Sequence, residues 1–264
     1  QDNGNGKGQI IRIQGGMNLQ ISKKQYADLF GPTVNDKLQL GDTNLFVEVE
    51  HDYAAYGDEL CYGGGKTVRQ GMGMSPGATQ ADGALDHVIT NVVVMDPVLG
   101  IVKGDVGFRN GKVAGVGKAG NPGVMDNVDE NLVVSAATEV SSGEGCILTP
   151  GFLDCHIHMI CPQQAYEALG NGTTTFIGGG AGPAEGTAGV TATSGPLNMR
   201  RMLEASEEIP INWCFSGKAN DSKPETLVEQ LEAGAGGFKL HEDFGATAAA
   251  LDNALNVCDE YDVQ

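Results

Sequence analysis

Two short polar clusters hold the side chains best suited to chemistry. In "GFLDCHIHMICPQ", residues 151–163, His156 and His158 stand one residue apart, behind Asp154 and after an apolar run. Residues two apart on a strand share a face, so a strand here sets both imidazoles and the Asp154 carboxylate side by side. Two neutral imidazoles in that arrangement suit a divalent transition metal such as Zn, Ni or Co. Standing alone, an HxH pair also reads as an ordinary polar strand end. The same period recurs in "GFKLHEDFG", where Lys239, His241 and Asp243 fall on one face. A protonated lysine brings positive charge and no lone pair, so unmodified it is a poor neighbour for a metal. On its own, this second run reads equally as a solvated surface.

Repeated strand and helix units position both clusters. After Gly145 the strand-like stretches "CILTPGFLDCHIHM", "TTTFIGG", "INWCFSG" and "GGFKLHED" alternate with the helical stretches "PQQAYEALGN", "PLNMRRMLEASEE", "KPETLVEQLEAG" and "ATAAALDNALNVCDEYD". That alternation indicates βαβ units around a parallel sheet. Four such units fill residues 146–264, whereas a closed (β/α)8 barrel takes eight strands and about 200 to 250 residues. The polar clusters end the first and fourth strands, and α/β barrels carry their chemistry at carboxyl strand ends.

Residues 19–145 have a different grammar. "NLFVEVEHDY", "HVITNVVVMDP", "GIVKGDVGFRNGKVAGVG" and "NLVVSAATEV" alternate or run β-branched between Gly, Asn, Asp and Pro, which predicts a β-rich domain. "KQYADLFG" predicts one short helix, and Asn110-Gly111 predicts a two-residue hairpin turn. Residues 1–18, opening "QDNGNGKGQ", read as a flexible linker. A first residue other than Met and a stop after four βα units predict a piece of a longer polypeptide.

Charge and cysteine usage exclude several classes. The 264 residues hold 16 Lys+Arg against 34 Asp+Glu, a formal charge of −18 that repels nucleic acid and anionic membranes. No apolar run approaches the roughly 20 residues of a membrane helix. Six cysteines without a CxxC pair predict reduced thiols in a cytoplasmic protein. Cys155 has the opposite parity to the two histidines, so its thiol is expected in the core, and His51 and His87 are expected to be structural or surface residues. The Gly-rich "GGGAGPAEG" lacks both the GK[ST] ending and the GxGxxG order of phosphate cradles.

The blocks "FGPTVNDKLQLGDTNL", "YGDELCYGGGKTVRQGMG", "TPGFLDCHIHMICPQQ", "IGGGAGPAEGT" and "GFKLHEDFGAT" closely resemble the catalytic (alpha) subunit of the ureases, nickel-dependent members of the amidohydrolase superfamily. The likeness runs from residue 19 to 264 nearly without interruption. It implies the first four βα units of an amidohydrolase-type TIM barrel behind a β-rich domain. It also implies two nickel ions bridged by a carbamate, formed when CO2 adds to Lys239, with His156 and His158 on one nickel. Carbamylation turns the ammonium into an anionic, two-oxygen ligand. By the same resemblance His241 hydrogen-bonds the urea carbonyl oxygen and Asp243 orients the catalytic imidazole. Gly189 takes the place of an alanine whose backbone carbonyl accepts from urea, and Phe244 stands where the family usually has Trp.

The family's two histidines for the other nickel, its later metal-binding aspartate and its flap histidine all match positions beyond Gln264, so the chain as it stands is expected to be inactive. Implied partners are urea, other urease subunits in a trimer-based assembly, and nickel-loading accessory proteins. The nearest rival is a hydantoinase- or dihydroorotase-like amidohydrolase with a dinuclear zinc site; a non-catalytic structural relative is a rival of another class. "FGPTVNDK" and "KLHED" favour urease.

Overall fold

The computed structural model describes residues 9–12, 18–61, 68, 73–159, 161, 163–180 and 192–264. They fall into two compact units, Gln1–Pro150 and Gly151–Gln264.

In the first unit, β1 (Gln9–Arg12) pairs antiparallel with β2 (Asn18–Ile21). Helix α1 (Lys23–Phe30) starts on a capping box: Ser22 Oγ accepts the Gln25 N–H and Gln25 Oε1 accepts the Ser22 N–H. A small ladder follows, β3 (Lys37–Gln39) against β4 (Phe46–Glu48). The main sheet has six strands: β5 (His51–Asp52), β6 (His87–Asp96), β7 (Gly100–Arg109), β8 (Lys112–Gly117), β9 (Glu139–Ser142) and β10 (Ile147–Leu148). Asn110 and Gly111 turn β7 into β8 with φ of 54° and 70°, the left-handed pair that a two-residue hairpin needs. The strand expected across residues 131–140 forms only from Glu139. Before it, Ser135 and Thr138 close a turn, with the Ser135 N–H donating to Thr138 Oγ1 at 2.9 Å and the Thr138 N–H to Ser135 O at 3.2 Å. Leu60, Leu85, Val88, Leu132 and Val134 form one apolar cluster, and Val92, Val94, Val102 and Val106 form another.

The second unit contains β11 (Phe152–His158), α2 (Gln163–Gly170), β12 (Thr173–Gly179), α3 (Pro196–Ser206), β13 (Asn212–Lys218), α4 (Pro224–Glu232), β14 (Gly237–Lys239) and α5 (Ala248–Tyr261). Its four strands pair in parallel in the order β11-β12-β13-β14, a curled half-barrel sheet with helical crossovers. Local sequence sets the helix starts: Pro196 and Pro224 occupy first-turn positions, and Thr247 Oγ1 accepts the Ala250 N–H at 3.2 Å. One sheet face is apolar. Phe215 packs with Met199 of α3, and Phe238 packs with Leu227 of α4 and with Ala254 and Val257 of α5. No described helix is long and apolar enough to cross a membrane.

Two further strand expectations are corrected. The stretch 146–159 is not one strand: Ile147–Leu148 pairs with β6 in the first unit, and a break at residues 149–151 precedes β11. Pro150 has no N–H to give a ladder, which separates the two segments. The fourth strand ends at Lys239, because residues 242–244 turn into a 3-10 helix.

Candidate active site

The HxH histidines lie in the last three residues of β11. Their ring centroids are 5.4 Å apart and the planes are inclined at 45°. Two imidazoles about 2.0 to 2.1 Å from a shared ion put their centroids about 5 Å apart, close to the spacing here. Both residues are exposed. Behind them, Gln164 of α2 ties the exit of the strand, its Nε2 donating to His158 O at 2.9 Å and its Oε1 accepting the Cys161 N–H at 3.0 Å.

Asp154 does not share their face. In register, Asp154 stands opposite Phe176 and Ile157 opposite Gly178, so three residue steps on β11 match two on β12. This bulge at residues 155 and 156 reverses the alternation, leaving Asp154 on the side of Phe176, whose ring contacts Trp213. The carboxylate instead supports the backbone, with Oδ1 accepting the His156 N–H at 3.0 Å. Cys155 is also corrected. It is exposed, not in the core, because β11 is an edge strand and Phe152 and Leu153 beside it are 58% and 59% exposed.

Register carries the face of His158 across to β14. His158 pairs with Gly179, Gly178 pairs with Phe215, and Lys218 pairs with Lys239. Counting residues along each strand puts His158, Lys218 and Lys239 on the face opposite Phe215. Phe238 and Leu240 pack into the helix-side cluster, so Lys239 and His241 point the other way. The glycines of β12 allow this layout. A Cβ on Gly179 would strike the backbone of Ala192, and one on Gly180 would strike the Met202 side chain. The run "IGGG" thus answers to close packing.

His241 is the N-cap of the 3-10 turn Glu242–Phe244, with extended φ and ψ of −131° and 135°. Its Nδ1 accepts the Asp243 N–H at 3.1 Å. With Nδ1 an acceptor, the neutral ring carries its proton on Nε2, which is therefore a donor. Asp243 sits in the turn and not on the strand face, its side chain 81% exposed and Oδ2 3.9 Å from His241 Nδ1. Glu242 Oε2 lies 3.6 Å from the same nitrogen. His241, Glu242 and Asp243 are the one group of three metal-type ligands that comes together among the described residues.

Sequence reasoning missed two residues beside this turn. The Asn220 side chain hydrogen-bonds both backbone groups of His241, and Lys218 Nζ lies 4.7 Å over the ring of Phe244. Lys218 ends the third strand and Asn220 follows it in "FSGKAN", where nothing local marks them as partners of a turn more than 20 residues on. Gly189 lies outside the described residues. His51 and His87 belong to the first unit, stacked edge-on with Tyr53 and Phe108.

Comparison with known proteins gives the family. Residues 19–141 match the family of the urease alpha-subunit N-terminal domain, and residues 147–264 match the amidohydrolase family. The chain is 57% identical over 245 residues to the protein named urease subunit alpha 2 of Brucella melitensis, covering 92% of this chain and 43% of that protein. It is 55% identical over 245 residues to the urease subunit alpha of Yersinia pestis, covering 93% of this chain and 43% of the relative. It thus spans under half the length of the curated relatives it matches. With its two halves matching the two family domains in order, the chain belongs to the urease alpha-subunit family of the amidohydrolases.

Proposed function

We propose that these residues form one side of the dinickel site of a urease catalytic subunit, which hydrolyses urea to ammonia and carbamate. The observation that carries the reading is the sheet face common to His158, Lys239 and His241, with His156 beside His158 at an imidazole spacing suited to one divalent ion. His156 and His158 would hold one nickel, and Lys239, once its amine had taken up CO2 and released a proton, would offer an anionic carbamate as a further ligand. Nickel bound there supplies Lewis acidity toward a carbonyl and makes water more acidic.

The chain's own groups then act on urea. His241 donates its Nε2–H to the carbonyl oxygen, a bond that strengthens as that oxygen gains charge. The Asp243 N–H holds the tautomer that makes this donation available, while its carboxylate orients the catalytic imidazole supplied by the complete protein. The Gly189 carbonyl accepts from a urea amino group. Closure of the full TIM barrel, a trimer-based assembly with other urease subunits, nickel-loading accessory proteins and a cytoplasmic location complete the proposal.

The test is made on the complete protein that contains these residues. Metal analysis is expected to find nickel, and ammonia release is expected from urea. Lys239→Ala is expected to lose both metal and turnover by at least about a thousandfold in rate, in the range that loss of a key catalytic group costs. Zinc with cyclic-amide hydrolysis and no urea turnover would reject the reading.

A further inference from the structure

We propose that Asn220 is a positioning residue for His241: its side-chain amide takes over the ladder where β13 and β14 stop pairing, and so sets where the imidazole points. The last ladder pair is Lys218 with Lys239. Beyond it, His241 N–H donates to Asn220 Oδ1 at 3.1 Å, and Asn220 Nδ2 donates to His241 O at 2.9 Å. One amide edge thus supplies the acceptor and the donor that a neighbouring strand residue would supply. Aspartate offers only acceptors there, and alanine offers neither.

The base of this clamp is anchored. Ala219 is fully buried and its N–H donates to Lys239 O at 3.1 Å. Asp221 O accepts Asn253 Nδ2 from α5 at 2.9 Å. On the far side of the turn, Lys218 Nζ lies over Phe244, whose ring centroid is 5.1 Å from that of His241. The His241 backbone is therefore held by Asn220, and its ring by the Asp243 N–H and Phe244. A donor that must meet a developing oxyanion within a few tenths of an ångström needs such support, and the strand itself no longer provides it.

The kinetic consequence rests on the urease reading; the structural one does not. The complete, metal-loaded protein is compared as wild type, Asn220→Ala and Asn220→Asp. Amide hydrogen exchange is read on the peptide spanning residues 237–245, together with metal content and urea kinetics. Asn220→Ala is expected to speed exchange at His241 by about tenfold or more, the loss of roughly one net hydrogen bond or more. Metal content is expected to stay at the wild-type level, and kcat to fall more than KM rises, because the donation strengthens in the transition state. Asn220→Asp keeps the acceptor and is expected to protect the His241 N–H better than alanine does; it serves as the reading if the alanine variant fails to fold. Unchanged exchange at His241 would overturn the clamp. Faster exchange with unchanged kcat and KM would reduce Asn220 to a structural residue and also overturn the proposal. If the wild type turns over no urea, the function fails, and exchange alone still decides the clamp.

Discussion

Lys103 and Lys239 both stand on strands and meet opposite conditions. Lys103, on β7, has a side chain 0% exposed, with Nζ 3.4 Å from Asp52 Oδ2, 3.3 Å from the Tyr26 hydroxyl and 4.6 Å over the Tyr26 ring. Around it the Tyr26 hydroxyl donates to Glu59 at 2.8 Å and Thr33 to Asp52 at 2.7 Å. Burial pulls the Lys103 ammonium down from its ordinary pKa and Asp52 pulls it back, while burial pushes the Tyr26 phenol up. Lys239 instead closes a three-residue strand, on the same sheet face as an exposed pair of histidines. The buried Lys103 ammonium is paired within the chain, by Asp52 and the Tyr26 hydroxyl. The histidines at the end of β11 are exposed instead, and exposed polar groups cost little to keep.

That contrast breaks most visibly at Lys103. Lys103→Met leaves the Asp52 carboxylate, 2% exposed, without its cation; a loss of about 3 to 5 kcal/mol is expected, read from the guanidinium chloride unfolding midpoint. A loss below about 1 kcal/mol would mean that the buried charges do not act as a network.

Asp105 comes next. Its two oxygens accept the Asn91 N–H at 2.9 Å and the Ala119 N–H at 2.7 Å. Asn91 needs that support, because it holds φ of 50° at a bulge in β6. Asp105→Asn sets an amide NH2 against one of these donors, for an expected cost of about 1 to 3 kcal/mol. Burial outweighs both donors and pushes the Asp105 carboxyl up to about 7 from 3.8. Because the folded pKa is the higher one, its contribution to stability is full below pH 3.8 and is lost as pH rises through about 7. Unfolding midpoints measured across that window should decline in the wild type and lose this decline in Asp105→Asn.

In the second unit the expected effects shrink. Phe244→Leu removes the face under Lys218 and should cost about 0.5 to 1 kcal/mol by the same unfolding measurement. His156→Ala and His158→Ala should each change stability by less than about 0.5 kcal/mol, while metal analysis of the complete protein shows the loss of bound metal. A large destabilisation by either histidine variant would make the pair a structural feature and erase the contrast.

Much of this was legible locally. The four strand–helix alternations after Gly145 and the Asn110-Gly111 turn follow from periods of two and 3.6 and from left-handed glycine and asparagine chemistry. The HxH pair was legible because its geometry spans three consecutive residues. Asp154 was misread for a complementary reason: strict alternation assumes a regular ladder, and the bulge exists only in the register between β11 and β12, while Cys155 was misread because β11 lies at the edge of the sheet. Asp243 was misread likewise, since strand parity was carried past the point where β14 ends.

By itself, the sequence determined the alternation of strands and helices after Gly145, which residues carry imidazole, amine and carboxylate, and the family to which they belong. Each of these depends on neighbours along the chain. Tertiary structure alone decided that Lys103 is enclosed, that Asp154 faces away from His158 and that Asn220 holds His241 from about 20 residues away. Those outcomes depend on strand register and on which groups lose contact with water, and both are set only when distant segments pack.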